Sequence, residues 1–433
     1  MTLRPYLCAL AGIALAALDA QAADLPDPQG QPVAFVRAAL ARACPVSEPD
    51  PAALAKPFPD AVVRAVRPLS FRGRTAGWSA DIRYGQDYEL RLQRRGDGAR
   101  LRRLSAELYR VAPGQRARPI AAGSAGPDCR ILGGRRIRYD TAGRQLTLDV
   151  LGHDLTSVER REPLNPPIPA ARPPGGISVA LFDAGVNYTL PEVAERLARA
   201  PNGRALGFDF WDMDALPFDA NPARSPFYPV RHGTPVASVL LREAPRARLL
   251  PYRYPRPDMR RMAAMVAAAN ANGAIIVAMP MGSNKTDPWP AFVAAAKAHP
   301  HMLFIVSAGN NGRDIDARPV YPAAFDLANL LVVTSSTKDG RLAPGSNWGA
   351  EAVDLMVPAE DIEVIDFSGK TGRASGSSYA VARVTALAVR LLAKNPNWRG
   401  PQLKQAIVDR ARFPTSTDAT RVKHGWIADP TAG

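Results

Sequence analysis

The chain has 433 residues and carries 55 lysines and arginines against 40 aspartates and glutamates, a net charge of +15. That length supports two or three domains and a sizeable core. The residues contain no zinc-finger spacing and no phosphate-binding glycine loop, and after the first twenty residues no segment is long and apolar enough for a membrane helix. Nucleic-acid binding and stable membrane insertion are therefore not expected.

Met1 to Ala22 reads as an export signal, with Arg4 in a short leading region, an apolar stretch from Tyr6 to Leu18, and Ala20-Gln21-Ala22 as the cleavage site. An exported protein, periplasmic or secreted, is expected. Cys8 falls within the signal, so the remaining chain holds Cys44 and Cys129. In an oxidising compartment these two are expected to form a disulfide, two buried thiols being the alternative.

Residues 23–160 read as a smaller β-rich N-terminal domain. Val33 to Ala43 has the pattern of a short helix, and residues 45–60, rich in proline, alanine and aspartate, read as a loop. Ser79 to Tyr84, Tyr88 to Gln93 and Arg102 to Tyr109 read as strands, with a hairpin formed by Arg136 to Tyr139 and Gln145 to Val150. Arg91, Arg94, Arg95, Arg100, Arg102, Arg103 and Arg110 crowd into this part. Their alternation with Tyr88, Leu90 and Leu92 predicts the solvated face of a sheet. Residues 161–176 hold six prolines and read as a stiff linker.

The pattern changes at Ile177. Continuous apolar runs at Ile177 to Phe182, Ala247 to Pro251, Ala274 to Met279, Met302 to Val306 and Leu330 to Thr334 suit central parallel strands. Helical patterns at His232 to Leu241, Met259 to Ala271, Pro290 to Ala298, Tyr379 to Lys394 and Pro401 to Arg410 alternate with them. An α/β domain with a mostly parallel sheet is expected over residues 177–413, followed by a tail, 414–433. In such a domain function sits at the carboxyl ends of strands.

Four candidate residues fall at those places. Asp183 ends the first run, His232 opens a helix, Asn310 follows a strand in Ser307-Ala308-Gly309-Asn310, and Ser378 opens the late helix after Ser375-Gly376-Ser377. Alone, Ser378 reads as a helix cap, Asp183 and Asn310 as turn residues, and His232 as a helix-start residue. Together they hold what acyl transfer by a serine requires. The hydroxyl is a poor nucleophile until a histidine takes its proton, the histidine needs a carboxylate to orient it, and an amide can hold the oxyanion.

These elements resemble those of the subtilisin-like serine proteases. The match runs through Phe182-Asp183-Ala184-Gly185, His232-Gly233-Thr234-Pro235-Val236-Ala237-Ser238, Ser307-Ala308-Gly309-Asn310-Asn311-Gly312 and Gly376-Ser377-Ser378-Tyr379-Ala380-Val381-Ala382, in the aspartate, histidine, serine order of subtilisin. Ser346-Asn347-Trp348-Gly349 and Val353 to Pro358 also look like family segments. The resemblance covers roughly residues 176–412 and implies a three-layer domain and a serine endopeptidase. Ser378 would be the nucleophile, His232 the base and Asp183 its orienter, with Asn310 and the Ser378 N–H as the oxyanion hole. Met279, Pro280, Met281 and Gly282 would pair with an extended protein or peptide substrate, and Ser307, Ala308 and Gly309 would line its pocket.

The chain departs from the family's residues at Ala184, Pro235, Ser238, Pro280, Ser377, Tyr379 and Ala382, and Tyr379 is expected to narrow the site. Residues 359–374 fit the family's pattern poorly. By its position the N-terminal domain is expected to be an intramolecular inhibitor, or else a permanent binding module. A non-catalytic peptide- or partner-binding protein of the same fold is the alternative reading. No cofactor is required. Asp209, Asp212, Asp214 and Asp219 read as a solvated acidic loop, with structural calcium as the other option.

Overall fold

A computed structural model describes residues 25–48, 50–71, 74–97, 100–413 and 420–432. The expected export signal and part of the expected tail lie outside the described residues. The chain divides after Leu164 into two units, each with its own core.

In the first unit, helices α1 (Pro32–Ala43) and α2 (Pro51–Ala55) precede strands β1 (Ala61–Phe71), β2 (Arg74–Tyr84), β3 (Tyr88–Asp97), β4 (Arg100–Arg110), β5 (Arg118–Ala125), β6 (Ile131–Tyr139), β7 (Gln145–Leu151) and β8 (Val158–Pro163). The strands form one antiparallel sheet in chain order. Two-residue alternation decides its faces. Trp78, Ala80, Ile82, Leu90, Leu92, Leu104, Ala106 and Leu108 pack with Phe35, Val36, Ala39 and Leu40 of α1.

Many of the crowded arginines point to the other side, where Arg91 stacks over the Tyr109 ring at 4.3 Å. Arg94 differs from the expected solvated face. It takes an inward position of β3 and is 2% exposed, and burial lowers its pKa. The expected loop at 45–60 also contains a helix. Asp50 accepts the Ala52 and Ala53 N–H groups, and Pro51 needs no N–H at the first position.

Cys44, at the end of α1, is bonded to Cys129 in the turn before β6, with Cα atoms 6.0 Å apart. The bridge closes a loop across a sequence separation of 85. On chain entropy such a loop is worth about 4–5 kcal/mol. Replacing both cysteines by serine is expected to lower the unfolding free energy of this unit by a few kcal/mol, measured by urea titration. An unchanged midpoint would refute this.

The second unit is built from β9 (Ile177–Asp183), α3 (Pro191–Ala194), β10 (Phe208–Asp209), α4 (Gly233–Glu243), β11 (Ala247–Arg253), α5 (Met262–Ala271), β12 (Ile276–Met279), α6 (Pro290–Ala298), β13 (Leu303–Ser307), β14 (Leu330–Ser336), β15 (Leu355–Pro358), β16 (Ile362–Ile365), β17 (Thr371–Ala374), α7 (Ser377–Lys394) and α8 (Gly400–Val408). Seven strands form a parallel sheet in the order β10-β11-β9-β12-β13-β14-β15.

Alternate strand residues enter opposite cores. Val179, Leu181, Ile276, Ala278, Leu303 and Ile305 meet α4 and α7, while Ala180, Phe182, Val277, Met279, Phe304 and Val306 meet α5 and α6. That alternation produces three layers. Helix α7 runs 18 residues and is buried along most of its length, which accounts for its alanine- and valine-rich sequence. Residues 359–374, the poorly fitting segment, contain the β16–β17 hairpin. No helix among the described residues is long and apolar enough to cross a membrane.

The expected linker is fastened at several points. Residues 161–163 belong to β8, and Leu164 N–H bonds to Leu146 C=O. Asn165 then donates to Asp214, Pro166 C=O accepts from Tyr188 and Pro169 C=O from Arg199. Prolines lack an N–H but keep the carbonyl, so a proline-rich segment can still be fastened from outside.

Candidate active site

The parallel sheet places Asp183 at the carboxyl end of β9, where its side chain is 4% exposed. Helix α4 begins directly beside it. A Cβ on Gly233 would lie 1.9 Å from the Gly185 carbonyl oxygen, so only glycine permits this approach. His232 immediately precedes α4, and its Nδ1 lies 2.8 Å from both oxygens of Asp183. Its Nε2 lies 3.1 Å from Ser378 Oγ. Ser378 is the second residue of α7, so its N–H belongs to the first turn and has no intrahelical acceptor. The structure thus brings Asp183, His232 and Ser378 into one hydrogen-bonded line.

Burial is the largest single influence on His232 and disfavours its charged form. The charge and hydrogen bond of Asp183, with the charge of Asp219, outweigh it and raise the pKa to about 8. A base must be neutral to accept a proton. The expected kcat/KM therefore rises with pH and levels off above about 8, and a profile flat from pH 6 to 9 would contradict this assignment.

Asn310 lies in the loop after β13. Its Oδ1 accepts from the Ser377 N–H and Ser377 Oγ, both at 2.9 Å. Backbone N–H can only donate, so the carbonyl oxygen of Asn310 faces Ser377 and its NH2 group is left for the side of Ser378. Ser307 Oγ holds Ser377 Oγ at 2.7 Å. Gly376, at φ +126°, carries the chain past Asn310, where a Cβ would lie 3.1 Å from Oδ1. Ser377 is thus a positioning residue. Ser377→Ala is expected to lower kcat about tenfold with little change in KM, and Ser377→Thr to restore it; a loss confined to KM would contradict this role.

A pocket of 270 Å³ opens beside Ser378, lined by residues 280–284, Ser307, residues 309–311, Val320 and Ser378. Of the residues named above for substrate contact, Pro280, Met281, Gly282, Ser307 and Gly309 line this pocket, and Met279 and Ala308 do not. Both are fully buried, with Met279 in the core against α5 and α6 and Ala308 behind the loop. Each sits one position from a lining residue, and alternation turns it to the other side. Tyr379 does not narrow the pocket either. It packs into the core shared by α4 and α7, 9% exposed, and burial, with the charges of Asp183 and Asp219, pushes its pKa up to about 12. Ser283, Asn284, Asn311 and Val320 complete the lining and were not singled out in the sequence.

The acidic loop is more than a solvated stretch. Asp209 is buried against Arg253 at 2.6 Å, with Asp212 on the same guanidinium. Burial, the largest influence, raises the Asp209 pKa to about 6. Asp214 accepts from Asn165 and Leu216. Asp219 is fully buried and accepts from His232 N–H at 3.0 Å, Thr234 N–H at 2.8 Å and Thr234 Oγ1 at 2.6 Å. Arg253, the Asn165 amide, Thr234 and backbone N–H groups thus hold these carboxylates. No group of three metal-ligating residues occurs among the described residues.

Asp219 supplies the cap that His232 does not. The first-turn N–H groups of α4 have no intrahelical acceptor, and His232 offers them no side-chain cap. Asp219→Ala would leave them unpaired beneath His232 and is expected to cost about 2–4 kcal/mol of stability, measured by thermal unfolding. Asn347 does similar work opposite. It is fully buried, and its side chain bonds to Ala308 C=O and to the N–H groups of Asn311 and Arg313, clamping the Asn310 loop.

The sequence profile of the Subtilase family matches residues 175–426, more than half of the chain. The chain belongs to the subtilase family. It is 28% identical to alkaline serine exoprotease A of Vibrio alginolyticus over 56% of this chain and 43% of that protein. It is 24% identical to subtilisin BL of Lederbergia lenta over 56% of this chain and 86% of that protein. This subtilase thus spans under half the length of the Vibrio relative. Among solved structures, one on subtilase cytotoxin assembly aligns with a TM-score of 0.50 at 19% identity, over 60% of this chain and 88% of that one. That likeness concerns the fold. The Pro235 and Ser238 departures fit locally. Pro235 sits in the first turn of α4, where an N–H is not needed, and Ser238 Oγ joins α4 to Ile365 of β16.

Proposed function

We propose that this subtilase is a serine endopeptidase acting on extended or unfolded polypeptide. The observation that carries the reading is the hydrogen-bonded line Asp183–His232–Ser378 at the mouth of the pocket. Ser378 Oγ attacks the peptide carbonyl carbon while His232 Nε2 takes its proton. The carbonyl oxygen becomes an oxyanion between Asn310 Nδ2 and the Ser378 N–H, and Asp183 stabilises the imidazolium. His232 then gives the proton to the leaving amine as the C–N bond breaks. Water repeats the sequence on the acyl-enzyme, releasing the acid and Ser378. The substrate lies along residues 280–282, whose backbone leads into the pocket, which is main-chain recognition tolerant of many sequences.

The first unit has its own core and disulfide. Both features support a lasting module rather than a segment lost on maturation, and the disulfide suits an exported protein. Mass spectrometry tests both points. The wild type is expected to cut an unfolded protein and Ser378→Ala is not, and purified protein is expected to keep Cys44 and Ser378 on one chain. Equal cutting by both proteins would sink the peptidase reading, and a purified mass lacking residues 25–164 would sink the lasting module.

A further inference from the structure

Most of the side-chain oxygens that line the pocket beside Ser378 are taken. Ser283 Oγ accepts from Trp289 Nε1 at 3.0 Å and donates to Lys285 C=O at 2.9 Å. Ser307 Oγ is bonded to Ser377 Oγ and accepts from Gly309 N–H at 3.0 Å. Asn310 Oδ1 accepts twice from Ser377. Asn284 Oδ1 accepts from Arg313 Nη2. An arginine N–H cannot accept, so the amide oxygen of Asn284 faces Arg313 and its NH2 group is left to serve the pocket. No carboxylate, lysine or arginine is among the described lining residues. What remains are the amide NH2 groups of Asn284 and Asn310 and the exposed amide of Asn311, beside the apolar residues Pro280, Met281 and Val320.

Asn310 is committed to the oxyanion in the reaction above, and Arg313 fixes the orientation of the Asn284 amide, so Asn284 is the oriented donor available to a substrate side chain. We propose that the pocket selects substrates whose residue at the attacked carbonyl bears a hydrogen-bond acceptor at the end of a short apolar stem, glutamine or glutamate. The inference rests on the peptidase reading and specifies its substrate class. The methylenes lie on Val320 and Met281, and the side-chain carbonyl or carboxylate accepts from Asn284 Nδ2. A leucine or phenylalanine would cover that donor without pairing it, and sites built to donate reject such analogues. A lysine or arginine would bring further donors to a pocket with no acid. Arg313, behind Asn284, adds a positive charge that favours glutamate over its neutral isostere. Arg313 acts through Asn284 and through its field, and is a specificity-determining rather than catalytic residue.

The test uses full-length protein and a set of quenched fluorescent peptides identical except at the residue before the cut: glutamate, glutamine, leucine, phenylalanine, lysine and arginine. Expected kcat/KM for glutamate and glutamine exceeds that for leucine by about tenfold, with lysine and arginine lower still. Asn284→Ala is expected to erase the advantage of both acceptor residues over leucine. Arg313→Gln is expected to lower the glutamate-to-glutamine ratio severalfold. Ser378-dependent cleavage that prefers leucine, phenylalanine or lysine would overturn this proposal and leave the peptidase reading intact. Absence of any Ser378-dependent cleavage would overturn both.

Discussion

Ser378→Ala is expected to lower kcat on a peptide substrate by about a millionfold, to the residual rate left by binding and the oxyanion donors. The geometry explains why the loss is so large. Ser378 Oγ is the atom at 3.1 Å from His232 Nε2, and it borders the pocket. Removing it removes the bond-forming atom and leaves His232 with no proton to take. The fold should not change, because one oxygen is lost at the start of a helix whose other residues are packed on both sides. Unfolding free energy within about 1 kcal/mol of wild type would confirm that the loss is chemical. A drop of only tenfold would mean that another nucleophile does the work.

Asp183→Asn carries the second large effect, about ten-thousandfold in kcat near neutral pH. Asp183 accepts from Ala184 N–H at 2.6 Å as well as facing His232. An asparagine can keep that backbone bond with its oxygen, but its NH2 group then points at His232 Nδ1. Nδ1 must become the acceptor, and the ring proton moves to Nε2, where it faces Ser378 and blocks the base. The pH profile separates this from simple misfolding. The Asp183 charge and hydrogen bond hold the His232 pKa up at about 8 against burial, so the variant's residual activity should rise at a lower pH than in the wild type. An unmoved limb would remove Asp183 from its role.

The three residues of the hydrogen-bonded line were legible in the sequence because each stands where a regular element stops or starts. Asp183 closes an apolar run, His232 and Ser378 open helices, and such ends need distinctive residues. The supports were not legible. Asp219 caps α4 from thirteen residues upstream, across a loop with no periodicity, so it read as one more acid in an acidic stretch. Ser377 seemed a minor departure until its hydroxyl met Asn310.

Side-chain direction at the ends of strands was also hidden, which is why Met279 and Ala308 could not be told from their neighbours that line the pocket. In the first unit β5 escaped notice because Ala121, Ala122 and Gly123 have weak strand preference. The fold wants small residues there. A Cβ on Gly123 would sit 3.0 Å from Leu40 and Val36 of α1, so close helix packing overrides local propensity.

The most direct test of the line Asp183–His232–Ser378 is covalent labelling with a small fluorophosphonate, followed by intact and peptide mass spectrometry. A single adduct is expected on Ser378, its rate of formation rising with pH to a plateau above about 8, much slower in His232→Ala and absent in Ser378→Ala. Labelling of another residue, or of wild type and His232→Ala at equal rates, would contradict the assignment of His232 as the base that activates Ser378.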